Sequence, residues 1–278
     1  MIAVAGAGSV AWQTDLAVSA LEGEVVHRDG YVVVKTPSRP NYFWGNYLLF
    51  PQAPEPGDET RWVELYRREH PRTPQRFMSF GWLGDQLGAL EGFQQRGFVL
   101  DRSTVLSGGP GSVREAPRAN PEVEVRPISS DADWRATIDV HFDVDWPWGP
   151  GQRAFLRASC VAQRRLVDAG LASRFGAFLD GTLVGDLGVI WATDGGKLGR
   201  FDNVGTHPAY RRRGICRRLF HDAAVAAFER GLEELVLVAE EGSDAERIYR
   251  AVGFAPVGKQ LGLLWTDDAG GSASEADR

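Results

Sequence analysis

The chain has 278 residues, of which 43% are hydrophobic and 24% charged, enough apolar material for a core of ordinary size and a length that suggests roughly two domains. A net charge of -6 argues against nucleic acid as the main partner, and no apolar run of 18 residues is present to cross a membrane. Two cysteines, Cys160 and Cys216, make no disulfide framework; with an N-terminus that lacks a signal-peptide pattern, they point to a reducing cytoplasm.

In chain order, the apolar spacing predicts a helix from Val10 to Leu21, then a hairpin turning across His27 to Gly30. A strand is expected over Phe43 to Phe50, a helix over Arg61 to Arg68 and a strand over Arg76 to Trp82. A helix from about Gly84 to Arg96 and a strand ending near Leu106 follow. Residues 107–121 are rich in Gly, Pro and polar residues and read as a linker. Beyond it, Glu122 to Val125 alternates as a strand, and Ser130 or Asp131 caps a helix towards Val140. Arg153 to Ala169 has helical spacing, closed by Gly170. Asp180-Gly181 joins two strands, Arg174 to Leu179 and Thr182 to Trp191. A strand over Leu198 to Val204, a helix over Arg213 to Arg230 and a buried strand over Leu235 to Ala239 come next. Ser243 to Val252 is a short helix ended by Gly253, and Phe254 to Trp265 is expected to form a strand pair. The tail after Trp265 has no large apolar residue and is expected to be disordered. Ala89, Phe93, Gly97 and Phe98 repeat the spacing of Ala245, Tyr249, Gly253 and Phe254, which reads as a degenerate internal repeat.

The stretch richest in chemistry runs from Thr206 to Leu219. Arg211, Arg213, Gly214 and Cys216 read as a turn that opens a helix. Such a turn aims several backbone N–H groups at one spot, where the helix dipole adds positive charge. Five arginines, Arg211, Arg212, Arg213, Arg217 and Arg218, crowd that end and oppose the dipole unless an anion is bound. The expected ligand is a pyrophosphate. By contrast, Gly6 and Gly8 mimic a dinucleotide fingerprint, but only about four residues precede them and a hairpin follows instead of a βαβ unit.

Arg211-Arg212-Arg213-Gly214-Ile215-Cys216, preceded by Thr206-His207-Pro208, resembles the phosphate loop of the GNAT superfamily of acyl-CoA-dependent N-acyltransferases. Ala245, Ile248, Tyr249, Gly253 and Phe254 resemble its second signature. The resemblance covers roughly residues 122–266. It implies an α/β (α+β) GNAT fold, a mixed, mostly antiparallel sheet flanked by helices. A smaller degenerate GNAT-like domain over 1–110 precedes it, joined by a linker over 111–121, with the tail over 267–278.

What the family implies for single residues is as follows. Val204, Gly205 and Thr206 would pair with the pantetheine arm like an added strand, and Arg211 to Arg217 would bind the pyrophosphate of acetyl-CoA. Tyr249 would protonate the departing thiolate. Asp202 is the first candidate for general base, with His207, Glu240, Glu241 and ordered water as rivals. Asp143, Asp145, Trp146 and Trp148 suit a cationic amine through charge and cation–π contact. Cys216 departs from the Gly or Ala of the family, and Gly242 stands where many members carry an Asn. Phe93 replaces the tyrosine in the first repeat. The implied activity is direct transfer of an acetyl group to a primary amine, the alternative being a non-catalytic acyl-CoA sensor. No metal, nucleic acid or membrane partner is expected, and the oligomeric state stays open, a homodimer included.

Overall fold

The computed structural model describes residues 10–71, 76–115, 118–142, 151–193 and 197–267, with the backbone alone for 192 and 193. Gly6 and Gly8, the expected substrate residues Asp143, Asp145, Trp146 and Trp148, and the tail from 268 on lie outside the described residues. No helix among the described residues is long and apolar enough to cross a membrane.

In chain order the elements are α1 (Val10–Glu22), β1 (Glu24–Arg28), β2 (Tyr31–Lys35), β3 (Tyr47–Phe50), α2 (Asp58–Glu69), β4 (Phe77–Trp82), α3 (Glu91–Gln95) and β5 (Val99–Gly108). They continue with β6 (Glu124–Pro127), α4 (Asp131–His141), α5 (Gln152–Asp168), β7 (Ala172–Leu179), β8 (Thr182–Thr193) and β9 (Leu198–Thr206). Last come α6 (Ile215–Glu229), β10 (Glu234–Glu240), α7 (Asp244–Val252) and β11 (Ala255–Thr266). Two compact units result: 1–105 with 238–241 and 257–278, and 106–237 with 242–256.

In the first unit the strands run β1-β2-β3-β4-β11-β5. β1 and β2 form the expected hairpin, and β3 lies parallel to β4. β11 is one long strand, not the expected pair, and it lies antiparallel to β4 from Leu261 against Trp82 to Thr266 against Phe77. Asp267, expected to begin the tail, instead donates its N–H to the Arg76 carbonyl at 3.0 Å. The core is aromatic: Phe50 stacks on Trp62 at 3.7 Å, and Phe80, Trp82 and Phe93 surround them.

Two expected elements shrink for local reasons. Phe43–Gly45 is a 3-10 turn, so β3 starts at Tyr47; the Asn46 amide donates to the Arg39 and Tyr42 carbonyls and holds the chain curled. The helix expected from Gly84 keeps only Glu91–Gln95, because Gly84 (φ 89°) and Gly88 (φ 67°) take left-handed backbone.

The second unit orders its strands β10-β9-β8-β7-β6. β6, β7, β8 and β9 pair antiparallel, while β9 and β10 are parallel. Asp180 (φ 49°) and Gly181 (φ 76°) make the two-residue turn between β7 and β8. Ser130 caps α4 in a reciprocal capping box with Asp133. Phe201, Phe220, Tyr249 and Phe254 form an aromatic cluster that ties β9 to α6 and α7.

The two halves of the chain share one plan. α1-β1-β2-β3-α2-β4-α3-β5 matches α5-β7-β8-β9-α6-β10-α7-β11 element for element. Each copy has two antiparallel pairings followed by a parallel one.

Candidate active site

The turn between β9 and α6 bends through left-handed backbone. Arg212 (φ 64°) and Gly214 (φ 75°) both take left-handed backbone, a kind of turn in which successive N–H groups can face one side. Gly214 is the N-cap of α6 and, lacking a side chain, makes no side-chain cap to the helix. The linker braces the turn from its carbonyl side. Asn120 donates its side-chain amide to the Arg213 carbonyl at 3.0 Å and its backbone N–H to the Gly214 carbonyl at 3.2 Å. Packing is tight enough that a Cβ on Gly214 would stand 2.0 Å from the Arg118 carbonyl oxygen.

The arginines differ in their engagements. Arg218 is neutralised by Asp222 at 2.6 Å, and Arg211 donates to the Thr206 carbonyl at 3.3 Å. Arg213 lies over the Tyr210 ring at 5.4 Å. Arg212 is exposed and Arg217 half-buried at the first turn of α6. The matching helix of the first repeat, α2, also starts after a left-handed Gly57, but its first turn carries Asp58 and Glu59. Carboxylates already satisfy that dipole, so of these two matching helix starts α6 alone suits an anion.

β9 leads into this turn through a bulge. Gly188 faces Asp202, yet Asp186 faces Gly205, so two residues on β8 span three on β9, and Asn203 takes a left-handed φ of 48°. On its other edge, among the described residues, β9 pairs with β10 over Leu198–Arg200. The backbone from Phe201 to Thr206 therefore runs past that parallel register, which suits pairing with an extended ligand arm.

Tyr249 is buried, with its ring 4.6 Å from Phe220, one helical turn beyond Cys216. Burial raises its pKa well above the usual tyrosine value, with a further rise from nearby Cys216, so the phenol stays protonated. Burial likewise pushes the Cys216 thiol up to about 11, against the smaller pull of Arg217. Cys216 is thus a neutral, compact apolar residue and a poor nucleophile.

Asp202 is half-buried on β9 and accepts a hydrogen bond from Gln163 Nε2 at 3.0 Å. The rival His207 uses Nδ1 to accept the Ala209 N–H at 3.2 Å, which caps the short 3-10 turn Pro208–Tyr210. Glu241 pairs with Lys259 and, at 3.6 Å, with Arg102 in the first unit. Gly242 takes φ 78° and donates its N–H to Glu246 Oε2 at 2.6 Å.

Sequence reasoning missed one cluster. Asp186, fully buried on β8, accepts from Arg174 Nε at 2.7 Å and lies 2.6 Å from His141 Nε2. Burial, the largest single influence, would raise the Asp186 pKa, but Arg174 and His141 together outweigh it and hold the carboxyl below its usual range. The signal was present in the sequence as a lone acid inside the apolar run Leu183 to Ile190.

The acetyltransferase (GNAT) family model matches residues 138–254. No curated protein matches the chain. Among solved structures, a conserved protein of unknown function from Staphylococcus epidermidis superposes with a TM-score of 0.70 at 17% identity, covering 88% of this chain and 95% of that one. A GCN5-related N-acetyltransferase from Kribbella flavida gives 0.65 at 17% identity, over 97% of both chains. A tandem GNAT protein from the clavulanic acid biosynthesis pathway gives 0.53 at 13% identity, over 94% of both. At these identities the likeness is one of fold.

Proposed function

We propose, from the match of residues 138–254 to the acetyltransferase (GNAT) family model, that the chain moves an acetyl group from acetyl-CoA directly to a primary amine. The observation that carries this reading is the left-handed turn at Arg212 and Gly214, set at the start of α6 and at the end of the bulged β9. Acetyl-CoA supplies the activated acetyl thioester. The backbone and side chains of Arg211, Arg212, Arg213, Gly214, Ile215, Cys216 and Arg217 hold its pyrophosphate, and Val204, Gly205 and Thr206 offer the strand edge for its pantetheine arm.

Tyr249 supplies a proton to the departing sulfur. A buried phenol kept neutral is suited to that role and unsuited to being a base. Asp202 is one candidate to receive the proton of the amine. Asp143, Asp145, Trp146 and Trp148 are proposed to meet a cationic acceptor. The first repeat, with Asp58 and Glu59 at its helix start and Phe93 in place of the tyrosine, is proposed to hold no acyl donor. Its domain is proposed over 1–110, the linker over 111–121 and the catalytic part over 122–266, with the strand segment 257–266 of that part lent to the sheet of the first unit, in a cytoplasmic protein.

Titration with CoA and acetyl-CoA, followed by thiol release with a panel of primary amines, tests the reading. Absence of CoA binding at millimolar ligand would refute it. Binding without thiol release from any amine would leave the sensor alternative, which the departures at Cys216 and Gly242 favour.

A further inference from the structure

His141 closes α4, and its imidazole is anchored through one nitrogen. Nε2 lies 2.6 Å from Asp186 Oδ1 and 3.2 Å from Arg174 Nη2, while Asp186 Oδ2 takes Arg174 Nε at 2.7 Å and the same Nη2 at 2.6 Å, so that the Nη2 hydrogen is directed to the carboxylate. An ionised carboxylate only accepts, so the ring nitrogen facing it carries the hydrogen. Nδ1 is thereby left as the basic nitrogen.

The ring edge that carries Nδ1 rests on β9. A Cβ built on Gly205 would lie 2.3 Å from His141 Cε1 and 2.7 Å from Nδ1. Gly205 is also the residue that faces Asp186 across the β8–β9 register, and Arg174 Nη2 reaches the carbonyl of Asn203 in the bulge at 3.4 Å. One buried cluster therefore shapes the bulge and aims the imidazole at the segment Val204–Thr206. Among the described residues the charged groups facing the ring are Asp186 from β8 and Arg174 from β7; β9 presents the backbone of Gly205, and Gln152 of α5 donates to the His141 carbonyl at 3.4 Å. Asp202 sits on the other side of the bulge, opposite Gly188 and engaged by Gln163.

We propose that His141, oriented by Asp186, is the general base of the transfer, in preference to Asp202. Nδ1 takes a proton from the acceptor nitrogen as the N–C bond forms and the C–S bond of the thioester breaks. Tyr249 gives its proton to the sulfur, and the proton on His141 returns to Tyr249 through solvent after release, so one proton passes in net from nitrogen to sulfur. Arg174 and Asp186 are positioning residues. The proposal rests on the reading of β9 as the pantetheine strand.

The test uses the full chain labelled with 15N-histidine and desulfo-CoA, the analogue without the sulfur. The expected result is a His141 ring with Nε2 protonated and an Nδ1 resonance that moves when desulfo-CoA is added. Nδ1 unmoved in protein saturated with desulfo-CoA overturns the proposal, whereas failure to bind desulfo-CoA overturns the CoA reading on which it rests. With an amine that is turned over, His141→Gln is expected to lower kcat about 100-fold or more and to remove the acid limb of the pH profile. Added imidazole is expected to restore part of the rate in His141→Gly without raising its melting temperature, a split that a purely structural histidine does not give. Loss of the acid limb in Asp202→Asn in place of His141→Gln also overturns it.

Discussion

Tyr249 and Phe93 occupy the same place in two copies of one helix end. The carbonyl of Tyr249 accepts the Phe254 N–H at 3.1 Å, and that of Phe93 accepts the Phe98 N–H at 3.1 Å. Gly253 (φ 112°) and Gly97 (φ 85°) make the left-handed step in each. The copies differ at the ring by one hydroxyl, and that atom is where the chemistry is assigned. Tyr249→Phe is therefore expected to keep CoA affinity and the packing on Phe220, and to lower kcat by about 100-fold or more. Calorimetric titration with CoA beside steady-state thiol release separates the two effects.

Tyr249 also shapes the alkaline side. Its folded pKa is raised above the unfolded value near 10, so the folded state binds that proton more tightly. The stability it contributes is complete below about pH 10 and is lost as pH rises further. The wild-type melting temperature is expected to fall more steeply above pH 10 than that of Tyr249→Phe, as read by thermal melts at fixed salt.

Gly214 has two reasons to be glycine: its left-handed φ and the Arg118 oxygen that a Cβ would strike. The backbone conformation alone costs a substituted residue about 1–2 kcal/mol. Gly214→Ala is expected to weaken CoA binding about tenfold or more, with a smaller loss of thermal stability. Asn120→Ala removes a hydrogen bond worth about 1 kcal/mol from the outside of the same turn and is expected to weaken CoA a few-fold. Equal CoA affinity in Asn120→Ala and wild type would show that the linker does not shape the turn.

Asp186 and Arg174 are both buried, so removing one strands the other. Asp186→Ala is expected to cost about 3–5 kcal/mol in urea unfolding. Because its folded pKa lies below the unfolded value near 3.9, its contribution is present at neutral pH and is lost as pH falls through that range. The penalty of the variant is expected to shrink at low pH.

In the first unit, Glu69 accepts from Arg28 at 3.1 Å and from the Tyr31 hydroxyl at 3.0 Å. The Arg28 hydrogen bond foremost, against the cost of burial and aided by Tyr31 and Lys35, holds its carboxyl at about 2. Glu69 thus adds stability above its unfolded pKa near 4.3, which is lost as pH falls towards 2. With Arg28 part-exposed, Glu69→Gln is expected to cost about 1–2 kcal/mol at pH 7 and less at pH 3, measured by urea unfolding.

The order of elements, the glycine-marked helix ends, the turn from Arg211 to Cys216 that opens α6 and the paired motif around Phe93 and Tyr249 were legible in the chain as written. Each rests on local physics: apolar periodicity, left-handed glycines and charge against a helix dipole. The short α3 escaped because Gly84 and Gly88 read equally well as tolerated helix residues, and Ala89 N–H is claimed by the distant Pro54 carbonyl at 2.7 Å. The placement of β11 beside β4 escaped for a related reason. An alternating apolar strand states which face it buries and says nothing of which neighbour supplies its backbone partners. Likewise His141, Arg174 and Asp186 lie on three elements, α4, β7 and β8, 33 and then 12 residues apart, and carry no shared spacing. Only tertiary pairing brings them onto Gly205, because a buried ion pair is defined by what surrounds it in space.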